Sequence, residues 1–186
     1  MVTSEGTKAP LIIVISGPGG AGKGTIVREL CEQDPKVTVS RSWTTREPRV
    51  DDKDDSYFFV DDAEFNRHKD NGGFIEWNDF LGSMYGTPMP ESNDGRDLIL
   101  EIDVSGGRQI NEKLPEAILI FIDVEDPELR RRLSARGDKS SEIDKRLLEA
   151  ERERKEAKEL NYQIILNNDL AKATKAISEI ICKARL

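Results

Sequence analysis

A chain of 186 residues predicts a single domain, spanning 1–186, with a sizeable core and room for inserted lobes. Its net charge of −8 disfavours non-specific nucleic-acid binding, so an anionic ligand must be met by a local basic cluster. No apolar run approaches membrane-spanning length and residues 1–10 lack a secretory apolar core, so a cytoplasmic protein with no membrane partner is expected.

The first predicted unit is residues 11–33. Leu11-Ile12-Ile13-Val14-Ile15-Ser16 is an apolar, β-branched run that reads as a buried strand. A glycine-rich turn follows, Gly17-Pro18-Gly19-Gly20-Ala21-Gly22, and a helix opens at Lys23-Gly24-Thr25. Strand, glycine loop and helix form the context in which G-x-x-x-x-G-K becomes a phosphate cradle. Loop N–H groups turn inward, the helix N-terminus adds partial positive charge, and Lys23 adds a full one. The plain alternative is a strand–helix turn that binds nothing. Gly24 stands where most such loops carry the Ser or Thr that meets Mg²⁺. Mg²⁺ is therefore expected to be held mainly through water, with Thr25 as the candidate direct ligand.

Residues 37–40 read as a short strand, and 41–49 as a polar, proline-broken loop carrying Arg41, Arg46 and Arg49. Residues 50–56 hold four aspartates and read as an exposed loop, and 57–60 as a strand. A helix starts at Asp61, whose carboxylate and Glu64 resemble a capping box, and ends at Asn71-Gly72-Gly73. Residues 74–77 form a strand that sets Glu76 among apolar neighbours, and 87–97 read as a loop-like link. Residues 98–104 read as a buried strand and 105–113 as a short helix. Residues 117–124 form another buried strand, and Asp126 caps a helix with Pro127 behind it. Ser140 or Ser141 caps a long charged helix running to about 160. Its Ile143, Leu147 and Leu148 give only a narrow apolar stripe, so it reads as an exposed, movable piece. A last strand at 162–167 and an amphipathic helix at 170–184 complete the chain. Cys31 and Cys182 read as buried thiols, and His68, the one histidine, as a solvated surface residue.

Strands alternating with helices predict an α/β fold, with a parallel-sheet core covered by helices on both faces. The core comprises 10–36, 91–128 and 160–186, with a small inserted lobe at 37–90 and a mobile lid at 129–159.

The ordered motifs carry a resemblance. Ser42-Trp43-Thr44-Thr45-Arg46-Glu47-Pro48-Arg49 and Tyr57-Phe58-Phe59-Val60 come first. Phe74-Ile75-Glu76-Trp77, Tyr85-Gly86-Thr87, Glu101-Ile102-Asp103-Val104-Ser105-Gly106 and Arg132-Leu133-Ser134-Ala135-Arg136-Gly137 follow. Over residues 10–184 the chain resembles a guanylate kinase, of the nucleoside-monophosphate kinase group. The resemblance implies transfer of the γ-phosphoryl group of ATP, with Mg²⁺, to GMP and dGMP. Residues 17–25 and Asn167 would hold ATP. Ser42, Arg46, Arg49, Tyr57, Glu76, Tyr85, Thr87 and Asp103 would hold GMP. Lys23, Arg46, Arg132, Arg136 and Arg146 would stabilise the transferring group, with Arg136 also near the adenine.

The residue chemistry agrees. Arg46 and Arg49 offer forks to a phosphate. A carboxylate at Glu76 accepts the N1–H and N2–H of guanine and repels the acceptor N1 of adenine. The chain departs from the family pattern at Gly19, Trp43, Val50 to Asp52, and in the shortened link after Thr87. Two other readings remain at this level: a ribose 1,5-bisphosphate phosphokinase, and a non-catalytic guanylate-kinase-like binding module. Adenylate kinase shares Gly22-Lys23-Gly24-Thr25 but lacks the later motifs. The expected partners are small-molecule substrates, with the protein a monomer or small homo-oligomer.

Overall fold

The computed structural model describes residues 9–48, 57–90 and 95–186. Arg49 and the acidic stretch 50–56, expected to be an exposed loop, lie outside the described residues, as do 91–94 of the expected link. The core sheet is built from β1 (Ile12–Ser16), β2 (Val37–Val39), β7 (Asp97–Glu101), β8 (Ile118–Asp123) and β9 (Gln163–Leu166). Their order is β2-β7-β1-β8-β9, and every neighbouring pair is parallel. Side chains alternate across a strand, so this sheet buries two faces. Ile13, Ile15, Ile120 and Ile122 join one core cluster, while Val14, Leu119 and Phe121 join the other. Helices α1 (Lys23–Gln33) and α6 (Leu170–Ala184) cover the first face with Ile26, Leu30, Ile177 and Ile181. Helix α3 (Val104–Lys113) covers the second with Ile110. This is the expected P-loop α/β core.

A second sheet stands beside it, made of β3 (Trp43–Thr44), β4 (Phe58–Phe59), β5 (Phe74–Phe80) and β6 (Ser83–Pro88) in the order β4-β3-β6-β5. Helix α2 (Asp62–Asp70) packs on it through Phe65, and Asp61 caps that helix by accepting from the Glu64 amide at 2.7 Å. This lobe starts later than expected. Val37–Val39 is an edge strand of the core sheet, paired with β7. The polar 41–49 stretch contributes a strand, since Trp43 and Thr44 find partners in β4 and β6. Thr87 and Pro88 belong to β6, not to a loop.

Trp43 finds its space against His68. The two rings stack at 4.3 Å, and Phe74 meets the imidazole edge-on at 4.6 Å. His68 is thus half-buried in an aromatic stack, correcting its reading as a solvated residue. Cys182 is exposed and Cys31 half-buried, which corrects the expectation of two buried thiols.

The strand expected at 98–104 ends at Glu101. Asp103 instead caps α3, accepting from the Gly106 amide at 2.8 Å. Helix α4 (Asp126–Ala135) has Glu125 at its cap position and Asp126 already inside it. Helix α5 (Ser140–Glu159) follows Lys139, and no serine side chain caps it. The larger correction concerns how far these two helices are buried. Leu129, Leu133, Ile143 and Ala150 sit in the first core cluster and Ala157 in the second. Alanines contribute to that seam but add little to an apolar stripe, so the pattern understated it.

Among the described residues, no helix is long and apolar enough to cross a membrane.

Candidate active site

In an open parallel sheet, ligands bind beyond the C-terminal ends of the strands. Four core strands deliver polar residues there: the loop after β1, Glu101 at the end of β7, Asp123 at the end of β8, and Asn167 after β9.

The loop after β1 wraps as a cradle. Gly17 and Gly22 take φ of 143° and 95°, and a Cβ on Gly17 would overlap the Ile122 carbonyl. Only glycine tolerates both demands. Lys23 folds back over the loop and donates to the carbonyls of Gly17 at 2.5 Å and Pro18 at 3.3 Å. Its ammonium therefore lies over the cradle, where polyphosphate oxygens would displace those carbonyls. Asn167, buried, donates to the Ala21 carbonyl at 2.7 Å. Arg132 donates to Ala21 O at 3.2 Å and Asn167 O at 2.8 Å, and Glu128 accepts from its Nε at 2.8 Å. Those two arginine bonds and Asn167 brace the far end of the loop.

The expected arginine trio divides. Arg136 and Arg146 share Asp138, at 2.5 Å and 3.0 Å, and Arg146 Nη1 lies 3.1 Å from where a side chain on Gly19 would begin. Arg132 does not join them.

The inserted lobe gathers two further groups. Arg46 sets its guanidinium 5.5 Å from the rings of Tyr57 and Phe59, and the Tyr57 and Tyr85 rings meet edge-on at 6.0 Å. One cation and two phenols thus line one wall, as a phosphate would need. In the second group Glu76, 3% exposed, accepts from the Thr87 amide at 3.0 Å and its hydroxyl at 2.5 Å. Ser42 Oγ is 3.4 Å from Thr87 Oγ1. Glu76 Oε2 lies 2.5 Å from the position a Cβ on Gly106 would take, so it reaches the α3 N-terminus that Asp103 caps. Asn78 donates to Asp103 Oδ2 at 3.0 Å. The sequence reading missed Asn78, whose role becomes visible only when β5 meets α3.

Burial pushes the Glu76 carboxyl up to about 7, with Asp103 adding repulsion and Thr87 opposing. A raised carboxyl favours the folded state below its ordinary value and loses that contribution as pH climbs. Relative to Glu76→Gln, the ligand-free protein is expected to lose about 3 kcal/mol between pH 4.5 and about 7. Urea unfolding of both proteins across that window checks it. A constant difference would show that Glu76 does not carry the shift.

Glu101, whose carboxyl burial also pushes up against the pull of Lys23, lies 3.5 and 3.7 Å from the point where a Gly24 side chain would start. A carboxylate thus occupies the neighbourhood of the missing loop hydroxyl.

A phosphate cradle with its lysine, facing a lobe that joins a basic, phenolic wall to a buried carboxylate, defines a P-loop kinase acting on a small phosphorylated acceptor. Comparison with known proteins narrows that class. A sequence model of guanylate kinase matches residues 9–184. The chain is 38% identical over 177 residues to a guanylate kinase of Prochlorococcus marinus, covering 91% of this chain and 96% of that one. It is 40% identical over 181 residues to a guanylate kinase of Caldanaerobacter subterraneus, covering 94% and 87%. The crystal structure of guanylate kinase from Anaplasma phagocytophilum superposes with a TM-score of 0.73 at 28% identity, covering 96% of this chain and 87% of that one. The chain belongs to the guanylate kinase family, whose members are nucleoside-monophosphate kinases.

Proposed function

We propose that the enzyme transfers the γ-phosphoryl group of Mg-ATP to GMP and to dGMP, with the residue roles that follow. The carrying observation is the buried Glu76–Thr87 pair beside Asp103, in a lobe that faces the Lys23 cradle. A guanine-reading carboxylate has no purpose in a ribose 1,5-bisphosphate phosphokinase. A non-catalytic module has no use for Lys23.

The reaction asks for positioning and charge stabilisation more than covalent chemistry. The loop amides and Lys23 hold the β- and γ-phosphates. Arg46, Tyr57 and Tyr85, with Arg49, hold the acceptor phosphate. Ser42, Glu76, Thr87 and Asp103 read the base, and Asn167 with Arg132 shapes the adenine side. Arg136 and Arg146 are the arginines placed to exchange Asp138 for the transferring phosphoryl group. Glu101 and Thr25 are the side chains that fit a magnesium ion, which would supply charge neutralisation between the phosphates. Among the described residues no three acidic, histidine or cysteine side chains converge as a metal-binding group.

A coupled ADP-release assay offering GMP, dGMP, IMP, AMP, UMP and ribose 1,5-bisphosphate tests the proposal. Turnover of GMP and dGMP is expected. Turnover of the sugar bisphosphate without GMP would overturn it, and GMP binding without turnover would establish the binding module.

The lid is proposed to be shorter than the sequence suggests. The second half of α5 is pinned: Arg154 donates to Asp123 at 2.9 Å and Asp126 at 2.7 Å, and Arg108 meets Glu156 at 2.9 Å. Ahead of it lie Gly137, Asp138 and the two arginines. Hydrogen exchange is expected to slow in 137–148 when a bisubstrate analogue binds, and to stay constant in 150–159. Equal protection changes in both segments would mean that α5 moves as a whole.

A further inference from the structure

We propose that Glu153, on the inner side of the pinned half of α5, is a positioning residue for the hydrated magnesium ion that accompanies the nucleotide, facing it from that helix as Glu101 would from the sheet. The inference rests on the Mg-ATP reading above and adds a residue to it.

Glu153 is 2% exposed. Its helical neighbours Glu149 and Glu156 are held by Arg152 at 2.6 and 2.8 Å. No hydrogen bond or ion pair among the described residues reaches Glu153 itself. It lines a small pocket with Gly19, Phe80, Leu81, Arg146 and Glu149, between the cradle, the tip of the β5–β6 hairpin and α5. The charges that act on it are Lys23, Asp103, Glu149 and Arg152.

A buried carboxylate with no partner is costly to keep, and a native chain that keeps one has a use for it. The pocket indicates the use. A triphosphate in the cradle brings anionic oxygens to Gly19 and Lys23, on the wall opposite Glu153. Two anions face to face repel, but a divalent cation between them reverses the sign. Magnesium keeps several waters and takes one or two carboxylates besides phosphate oxygens, and those waters donate to acceptors around them. Glu101 offers such an acceptor beside Gly24 and Glu153 offers one from the pinned half of α5.

The test compares ADP affinity by titration calorimetry with Mg²⁺ and with EDTA, in wild type, Glu153→Gln and Glu153→Asp. The readout is the ratio of the two affinities within each protein, so modest losses of folded protein cancel. Outer contacts of this kind typically contribute 10- to 100-fold to metal affinity, so the Mg²⁺-linked gain should fall by about 10-fold in Glu153→Gln. ADP without metal should bind that variant as well as wild type or better, because a repelling charge is gone. Glu153→Asp should recover part of the gain. Glutamine losing affinity equally with and without Mg²⁺, or an unchanged ratio, would make Glu153 a structural residue and overturn the inference. A wild type indifferent to Mg²⁺ would overturn the donor reading, and the inference with it.

Discussion

Glu76→Gln is expected to lower kcat/KM for GMP by about 10- to 150-fold, since a charged hydrogen bond to a desolvated base is worth about 1.5–3 kcal/mol. Glu76 Oε1 is committed to Thr87, so Oε2 is the oxygen left for the base. A glutamine amide in its place can still accept from Thr87 through its own oxygen. Its NH₂ then confronts the donors of guanine. AMP turnover should fall far less or rise, because the carboxylate that repels adenine N1 has gone. The GMP-to-AMP ratio of efficiencies, measured in both proteins with folding checked by thermal melts, is the decisive quantity. An unchanged ratio would mean that another residue reads the base.

Lys23→Ala should lower kcat by roughly 10²-fold or more, through lost stabilisation of the transferring phosphoryl group. The fold should survive, because among the described residues Lys23 donates only to its own loop carbonyls. GMP affinity should survive too, because the side chains proposed to hold the acceptor stand in the inserted lobe and at the α3 N-terminus. Calorimetry showing GMP affinity lost together with turnover would refute this division of labour.

Features that depend on neighbours in sequence were the legible ones. The cradle is such a case: an apolar run, glycines and a lysine within fifteen residues specify strand, turn and helix together. The Asp61 cap and the α6 stripe are similar. Glu76 stood out because a lone carboxylate among Phe74, Ile75 and Trp77 needs a reason. Features made by distant partners were not legible. Trp43 is a departure until His68 arrives from another element to stack on it. Asp103 reads as the end of a strand until the Gly106 amide turns it into a cap. Arg132 and Arg136 lie four apart on a helical projection. α4 ends between them at Ala135, and Arg132 turns to the Ala21 carbonyl while Arg136 turns to Asp138.

The position of β1 has a consequence for how the protein is made. β1 is the first core strand to leave the ribosome, yet it lies at the centre of the sheet, flanked by β7 and β8. The Leu11 amide just ahead of it is held by Asp97, 86 residues further on. A nascent chain thus carries its cradle sequence through about 80 further residues of synthesis with neither flanking strand in place. Loop closure over that distance costs entropy before any pairing repays it, which slows folding. The apolar 11–16 run therefore stays exposed until β8 emerges, and is the segment a chaperone would be expected to shield. ATP cannot hasten this step, because the site it would stabilise is completed only after the two strands have closed around β1.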